Sequence, residues 1–238
     1  MKDISLLDLL KSGAHFGHTT SRWNPKMKPF IFTVRNNIHI IDLEKTKNQL
    51  VKALNFLKTT ASQNQTILLV GTKRQVKDIV RSTAEKAKTP YVNVRWLGGM
   101  FTNFKTIVKT IKKLEKLQDT AASPDFTSLY TKKERLLIER EIEKMRTLFE
   151  GFKDVRRLPD CMFVFDVHHD DIAVKEAKKL GVKTVGIVDT NTDPGLVDYC
   201  IPANDDATKT LALIGDLVAE AILEGRASSL TQPNSQTN

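Results

Sequence analysis

The run Thr66-Ile67-Leu68-Leu69-Val70-Gly71-Thr72-Lys73-Arg74 sets the architecture. Thr66–Val70 is a short apolar stretch without polar alternation, the pattern of a strand buried on both faces of a parallel sheet. Gly71 closes it, a helical pattern follows over Gln75–Lys88, and a second β-rich run over Tyr91–Trp96 ends at Gly98-Gly99. The alternation returns later in the chain. Cys161–Val167 reads as a strand, Asp171–Leu180 as a helix, Thr184–Val188 and Tyr199–Ile201 as strands, and Ala207–Glu224 as a last helix. Strands alternating with helices predict an α/β fold: a parallel sheet covered on both faces and joined by right-handed crossovers.

On the N-terminal side, Asp3–Ser12 has the spacing of a short amphipathic helix (Ile4, Leu7, Leu10) ended by Gly13. Pro25 and Pro29 forbid a continuous helix between Thr19 and Pro29. Phe30–Val34 and Ile38–Ile41 are β-rich and separated by Arg35-Asn36-Asn37, which predicts a hairpin. Asp42 is placed to cap a helix over Leu43–Gln63. Residues 104–157 break the α/β rhythm. Phe104, Ile107, Ile111, Leu114 and Gln118 are spaced 3-4-3-4, and Ile138, Ile142, Met145, Phe149 and Phe152 are spaced 4-3-4-3. Heptad spacing on two stretches joined by Ser123-Pro124-Asp125 predicts an antiparallel coiled-coil helical hairpin. The expected organisation is a discontinuous α/β domain over 1–103 and 158–225, an inserted hairpin over 104–157, and a disordered tail over 226–238, where Ser, Thr, Gln and Asn dominate.

The chain has 238 residues with 37 Lys/Arg against 28 Asp/Glu, a formal charge of +9. That charge is polarised: +11 over residues 1–104, +5 over 105–157 and −7 over 158–238. A basic first part points to a polyanion, and the acidic last part to protein or solvent. No run of eighteen apolar residues suggests a membrane span, and Met1-Lys2-Asp3 does not open a signal peptide. Two distant cysteines, Cys161 and Cys200, fit a reducing cytoplasm better than a disulfide framework.

Several groups invite a chemical reading, each with a plainer competitor. Lys73 and Arg74 follow a strand and open a helix, where anions bind. A nucleotide loop needs two glycines before its lysine, however, and only Gly71 is present. Gly98-Gly99 could admit RNA closely, but turning the chain explains the pair more simply. His15, His18, His168 and His169 lack the spacing of a metal motif and a nucleophile to serve, so no metal, cofactor or catalytic residue is expected. Clustered Asp166, Asp189, Asp193, Asp205 and Asp206 could hold Mg2+, though helix capping accounts for Asp205 and Asp206 more simply. Cations beside flat rings, in Arg22-Trp23-Asn24-Pro25-Lys26-Met27-Lys28 and Arg95-Trp96, suit phosphate contact with stacking. Core packing is the competing use of the two tryptophans. The candidate RNA-contact set is Arg22, Trp23, Lys26, Lys28, Arg35, Lys73, Arg74, Arg95, Trp96, Lys105 and Lys109.

Eight strings together resemble one family. They are Leu-Lys-Ser-Gly-Ala-His-Phe-Gly-His (10–18), Trp-Asn-Pro-Lys-Met (23–27), Ile-His-Ile-Ile-Asp-Leu-Glu-Lys-Thr (38–46) and Arg-Trp-Leu-Gly-Gly-Met-Phe-Thr-Asn-Phe (95–104). The others are Leu-Pro-Asp (158–160), Ile-Ala-Val-Lys-Glu-Ala (172–177), Ile-Val-Asp-Thr-Asn-Thr-Asp-Pro (187–194) and Ile-Pro-Ala-Asn-Asp-Asp-Ala (201–207). Their order and spacing over about residues 1–225 resemble the bacterial or organellar small-subunit ribosomal protein S-two family. The resemblance implies a flavodoxin-like sheet with a coiled-coil hairpin after the Gly-Gly turn. It also implies binding to small-subunit ribosomal RNA between head and body, late joining during assembly, and docking of the large mRNA-binding ribosomal protein S-one. Arg22, Trp23, Lys26, Lys28, Arg95 and Trp96 fall in the family's basic loop and its Arg-Trp-Leu-Gly-Gly string. Asn37, Val167 and Ala203 replace a usual Gly, Pro and Gly; Asn tolerates a left-handed backbone, so the turn at Asn37 is expected to survive. The expectation is a non-catalytic ribosomal protein of the cytoplasm. Its rival is an α/β enzyme that binds a nucleotide or another phosphorylated ligand.

Overall fold

A computed structural model describes residues 5–230. Its centre is a five-stranded sheet: β4 (Ile67–Val70), β5 (Tyr91–Val92), β6 (Cys161–Val164), β7 (Lys183–Val188) and β8 (Tyr199–Pro202). Every neighbouring pair is parallel, in the order β5-β4-β6-β7-β8. Counted along the chain this is 2-1-3-4-5, the flavodoxin-like winding. All four residues of β4 and of β6 are buried, and they alternate in what they face. Ile67, Leu69, Cys161 and Phe163 join one core with α2 (Leu43–Ser62), α3 (Lys77–Ala87) and α8 (Thr208–Leu230). Leu68, Val70, Met162 and Val164 join a second core with α7 (Asp171–Lys179) and the insert below.

The N-terminal segment holds α1 (Leu6–Ser12), ended by Gly13 at φ 86°, and a three-stranded antiparallel sheet in the order β1-β3-β2. Its strands are β1 (Phe16–Thr19), β2 (Ile31–Arg35) and β3 (Ile38–Ile41). The β2–β3 turn uses Asn36 and Asn37 at φ 50° and 60°, so Asn supplies the left-handed backbone a tight hairpin requires. Ile4 and Asp3 of the expected first helix lie outside the described residues. Strand β1 has no alternation signal of its own; pairing with β3 creates it. The expected strand Tyr91–Trp96 shortens to β5: Asn93 Nδ2 donates to the Lys77 carbonyl of α3, and Trp96 Nε1 to Glu176 of α7.

The β5–β6 crossover is interrupted by α4 (Phe104–Ala122), the single turn α5 (Phe126–Leu129) and α6 (Lys132–Phe149). Ile107, Ile111 and Leu114 are buried with Met145, Phe149 and Phe152. Phe104 meets Phe152 edge-on, with ring centroids 6.3 Å apart, and Lys113 Nζ reaches Glu141 at 2.6 Å. These contacts run the two helices antiparallel. A capping box between Thr131 and Glu134 starts α6.

The expected disordered tail is corrected over 226–230, because α8 continues to Leu230. Arg226 donates from Nη1 to the carbonyls of Ala87 and Lys88, tying this last turn to α3. Residues 231–238 lie outside the described residues. One residue before Arg226, α8 crosses α2 at Gly225. A Cβ there would lie 2.3 Å from the Lys58 carbonyl oxygen and 2.8 Å from Ala61 Cβ. Ala is the better helix former by about 1 kcal/mol, yet the two helices would have to part. We expect Gly225→Ala to lose about 1–3 kcal/mol in urea unfolding; a gain would mean α2 and α8 separate at no cost.

Candidate nucleic-acid interface

Parallel strands deliver the loops that follow them to one edge, so Lys73 and Arg74 (after β4), Arg95 and Trp96 (after β5), Asp166 (after β6), Asp189 (after β7) and Asp205 (after β8) share the C-terminal edge of the sheet. The N-terminal segment lies across the β7–β8 side of it. His18 N donates to Thr190 Oγ1 at 2.7 Å, Asn24 N to the Thr190 carbonyl at 2.7 Å, and Lys26 Nζ to Asp193 Oδ2 at 2.5 Å.

At the middle of this edge sits an ion cluster. Lys73 Nζ is 2.9 Å from Asp166, 2.9 Å from Asp205 and 2.7 Å from Asp206. Burial works against its charge, but these contacts outweigh it and hold the amine protonated beyond the ordinary lysine range. Asp166, Asp189 and Asp205 are all buried. Burial, then repulsion from Asp166 and Asp189, pushes the Asp205 carboxyl up to about 7. The expectation that Asp205 and Asp206 cap α8 is corrected: Asn204 Oδ1 takes the backbone N–H groups of Asp206 and Ala207 instead. Asp193 stands apart, paired with Lys26.

His18 borders the cluster. Its Nδ1 lies 3.2 Å from Asp189 Oδ2, and its Nε2 lies 3.3 Å from Asn191 Nδ2. The bond to Asp189 raises the imidazole's proton affinity. Donor atoms of His18, Asp189 and Asp205 all lie within 4.8 Å of one another, a spacing and donor set suited to a divalent cation. Spacing along the sequence gives no such position, because the three ligands come from separate segments that only the fold unites. His168 and His169 are exposed and stand without a nucleophile.

The Arg95 loop is held by a single carboxylate. Glu176 of α7 is buried. Its Oε1 accepts from Gly99 N at 2.6 Å and Trp96 Nε1 at 3.3 Å. Its Oε2 accepts from Phe101 N and Thr102 N at 3.0 Å each and from Thr102 Oγ1 at 3.1 Å. Burial opposes the charge, but these donors prevail and lower the carboxyl's pKa. Gly99 turns the chain at φ 92°.

The candidate set therefore divides. Arg22, Lys28, Arg35, Arg74, Arg95, Lys105 and Lys109 are exposed, and none forms an ion pair among the described residues. Lys26 is exposed but occupied by Asp193. Lys73 faces inward, Trp96 is buried in the second core, and Trp23 packs against His39 with ring centroids 4.9 Å apart. Sequence alone could not separate Lys73 from Arg74; the carboxylates that claim Lys73 are about 90 to 130 positions away.

The edge where α/β folds usually bind phosphorylated ligands here sets one lysine among three carboxylates, Asp166, Asp205 and Asp206, with Asp189 a fourth facing His18. Such a field repels the polyphosphate a nucleotide enzyme would seat there. Flavodoxin-like winding with an acidic cluster at its strand-end edge and exposed cations beside it defines the class: an α/β protein whose basic surface lies next to that edge and not in it. Comparison with known proteins makes the assignment specific. The Ribosomal protein S2 family profile matches residues 9–225. A protein of Helicobacter hepaticus named small ribosomal subunit protein uS2 is 47% identical over 233 residues, 98% of this chain and 88% of the relative. Relatives of the same name from Acinetobacter baylyi (49% identical, 98% and 94% covered) and Coprothermobacter proteolyticus (49%, 95% and 84%) agree. The chain belongs to the ribosomal protein S2 family and is not an enzyme. Among the described residues, no helix is long and apolar enough to cross a membrane.

Proposed function

We propose that this chain is a structural constituent of the small ribosomal subunit, seated between head and body on small-subunit ribosomal RNA in a bacterial cytoplasm. The supporting observation is the set of exposed cations without carboxylate partners among the described residues: Arg22, Lys28 and Arg35 on the N-terminal segment, and Arg74 and Arg95 at the sheet edge. Unpaired cations release counterions when they meet phosphates, which gives affinity with little base readout. Lys26 joins by exchanging Asp193 for phosphate, a small cost for an exposed pair. The two tryptophans support the loops from within and do not stack on bases. Docking of the large mRNA-binding ribosomal protein S-one belongs to the same reading. Phe32 is 74% exposed on an outer strand of the three-stranded sheet, apolar area open to a protein neighbour.

The test is binding to transcribed small-subunit ribosomal RNA across a salt series. Affinity should fall linearly on logarithmic axes. Replacing Arg22, Lys28 and Arg35 by Gln should lower the steepness by about two to three, roughly 0.9 for each phosphate the protein no longer neutralises. A flat response of the unaltered chain would refute the reading.

A further inference from the structure

Helix α4 is built asymmetrically. At 100° per residue, Lys105, Lys109, Lys112 and Lys116 fall within an arc of about 60°, opposite Ile107, Ile111 and Leu114, which are buried in the hairpin core. All four lysines are exposed, and none forms an ion pair among the described residues. The two other charged groups of this stretch are already engaged on different arcs: Lys113 with Glu141 and Glu115 with Arg156. The single carboxylate on the lysine arc is Asp119, beyond the last lysine.

An ordinary solvated helix face would mix signs, as α6 does. There Glu134, Glu139, Glu141 and Glu143 are interleaved with Lys132, Lys133, Arg135, Arg140, Lys144 and Arg146. Helix α4 instead places like charges four apart, at 105/109, 109/113 and 112/116, an arrangement that works against the helix. Its first turn holds Lys105 and no acid, and Asn103 makes no side-chain cap, so the positive end of the helix dipole is left uncompensated too. A polyanion lying along this face relieves the repulsion. The row is also continuous with the sheet edge: α4 starts directly after the Arg95 loop that Glu176 fastens.

We infer that the Lys105–Lys109–Lys112–Lys116 face of α4 is a second RNA surface, laid along the phosphate backbone of a ribosomal RNA segment. It rests on the RNA reading above and extends it out along the hairpin. The row spans about 16 Å at 1.5 Å per residue, long enough for consecutive amines to meet several phosphates. Lysine is a point charge and no aromatic side chain shares the arc, so the contact reads backbone and not base identity.

The experiment uses the full chain and transcribed small-subunit ribosomal RNA. Lys105, Lys109, Lys112 and Lys116 are replaced together by Gln, a good helix former, so the hairpin keeps its helicity by circular dichroism. The plot of affinity against salt should become less steep by about three to four. The Arg22/Lys28/Arg35 variant runs beside it. If that variant loses steepness and the α4 variant does not, the inference fails while the RNA reading stands. If neither loses steepness, both fail. If the α4 variant keeps its RNA binding but incorporates poorly into small subunits, the face meets protein and the inference is overturned.

Discussion

Replacing Glu176 with Ala should cost about 3 kcal/mol or more, since five donors of a partly buried loop lose a charged acceptor. For a chain of this size that corresponds to a fall of about 6–12 °C in the melting midpoint. Glu176→Gln keeps the shape but presents an N–H2 to at least one backbone N–H, so it should recover only part of the loss. The sign with pH follows from the lowered pKa of Glu176. Its stabilisation is complete above the ordinary carboxyl range and disappears as pH falls through the lower folded-state value. The native chain should therefore lose stability on acidification more steeply than Glu176→Gln does. Calorimetry across pH 3–7 reads both effects, and equal midpoints for the three chains would refute the role. Loss of this anchor should also weaken RNA binding, because Arg95 and the root of α4 depend on it.

Replacing Lys73 with Met should be comparably severe. The single cation among Asp166, Asp205 and Asp206 disappears, and breaking a buried ion pair from one side costs about 3–5 kcal/mol. The loss should depend on pH in the opposite sense to that of Glu176. Asp205 already holds a proton more tightly in the folded chain than in the unfolded one, so ionising it opposes folding as pH rises from about 4 to 7. Without Lys73, whose charge holds the Asp205 value down, that carboxyl keeps its proton tighter still. Lys73→Met should approach native stability near pH 5 and fall furthest behind at pH 8, in urea unfolding at the two values. A variant that unfolds like the native chain at pH 8 yet binds RNA weakly would place the amine outward instead.

The parallel sheet was legible because β4 and β6 carry uninterrupted apolar runs, and the helices α4 and α6 because Ile107, Ile111, Leu114, Met145 and Phe149 keep a heptad rhythm. The Asn36-Asn37 turn and the Asp42 cap were legible from local chemistry, which needs only neighbours a few residues away. What escaped was carried by distant partners. Strand β1 exists through β3. Glu176 looks like one more charged residue of a surface helix until the Gly98-Gly99 loop folds onto it. Asp166, Asp205 and Asp206 were visible singly, but their meeting with Lys73 was not. Cation counts located the basic regions and could not say which amines turn inward.

The chain's opening segment is fastened by its closing one. His18 and Asn24 rest on Thr190, Asn204 donates to the Gly13 carbonyl, and Thr210 to that of Ser12. During synthesis, then, the stretch that emerges first has β3 and α2 to rest on but lacks its anchors on the sheet edge until Thr190 to Thr210 have cleared the exit tunnel. Arg22, Lys28 and Arg35 hang on a lead that tightens last, and nascent chains cut short before residue 190 would carry them without a fixed bearing.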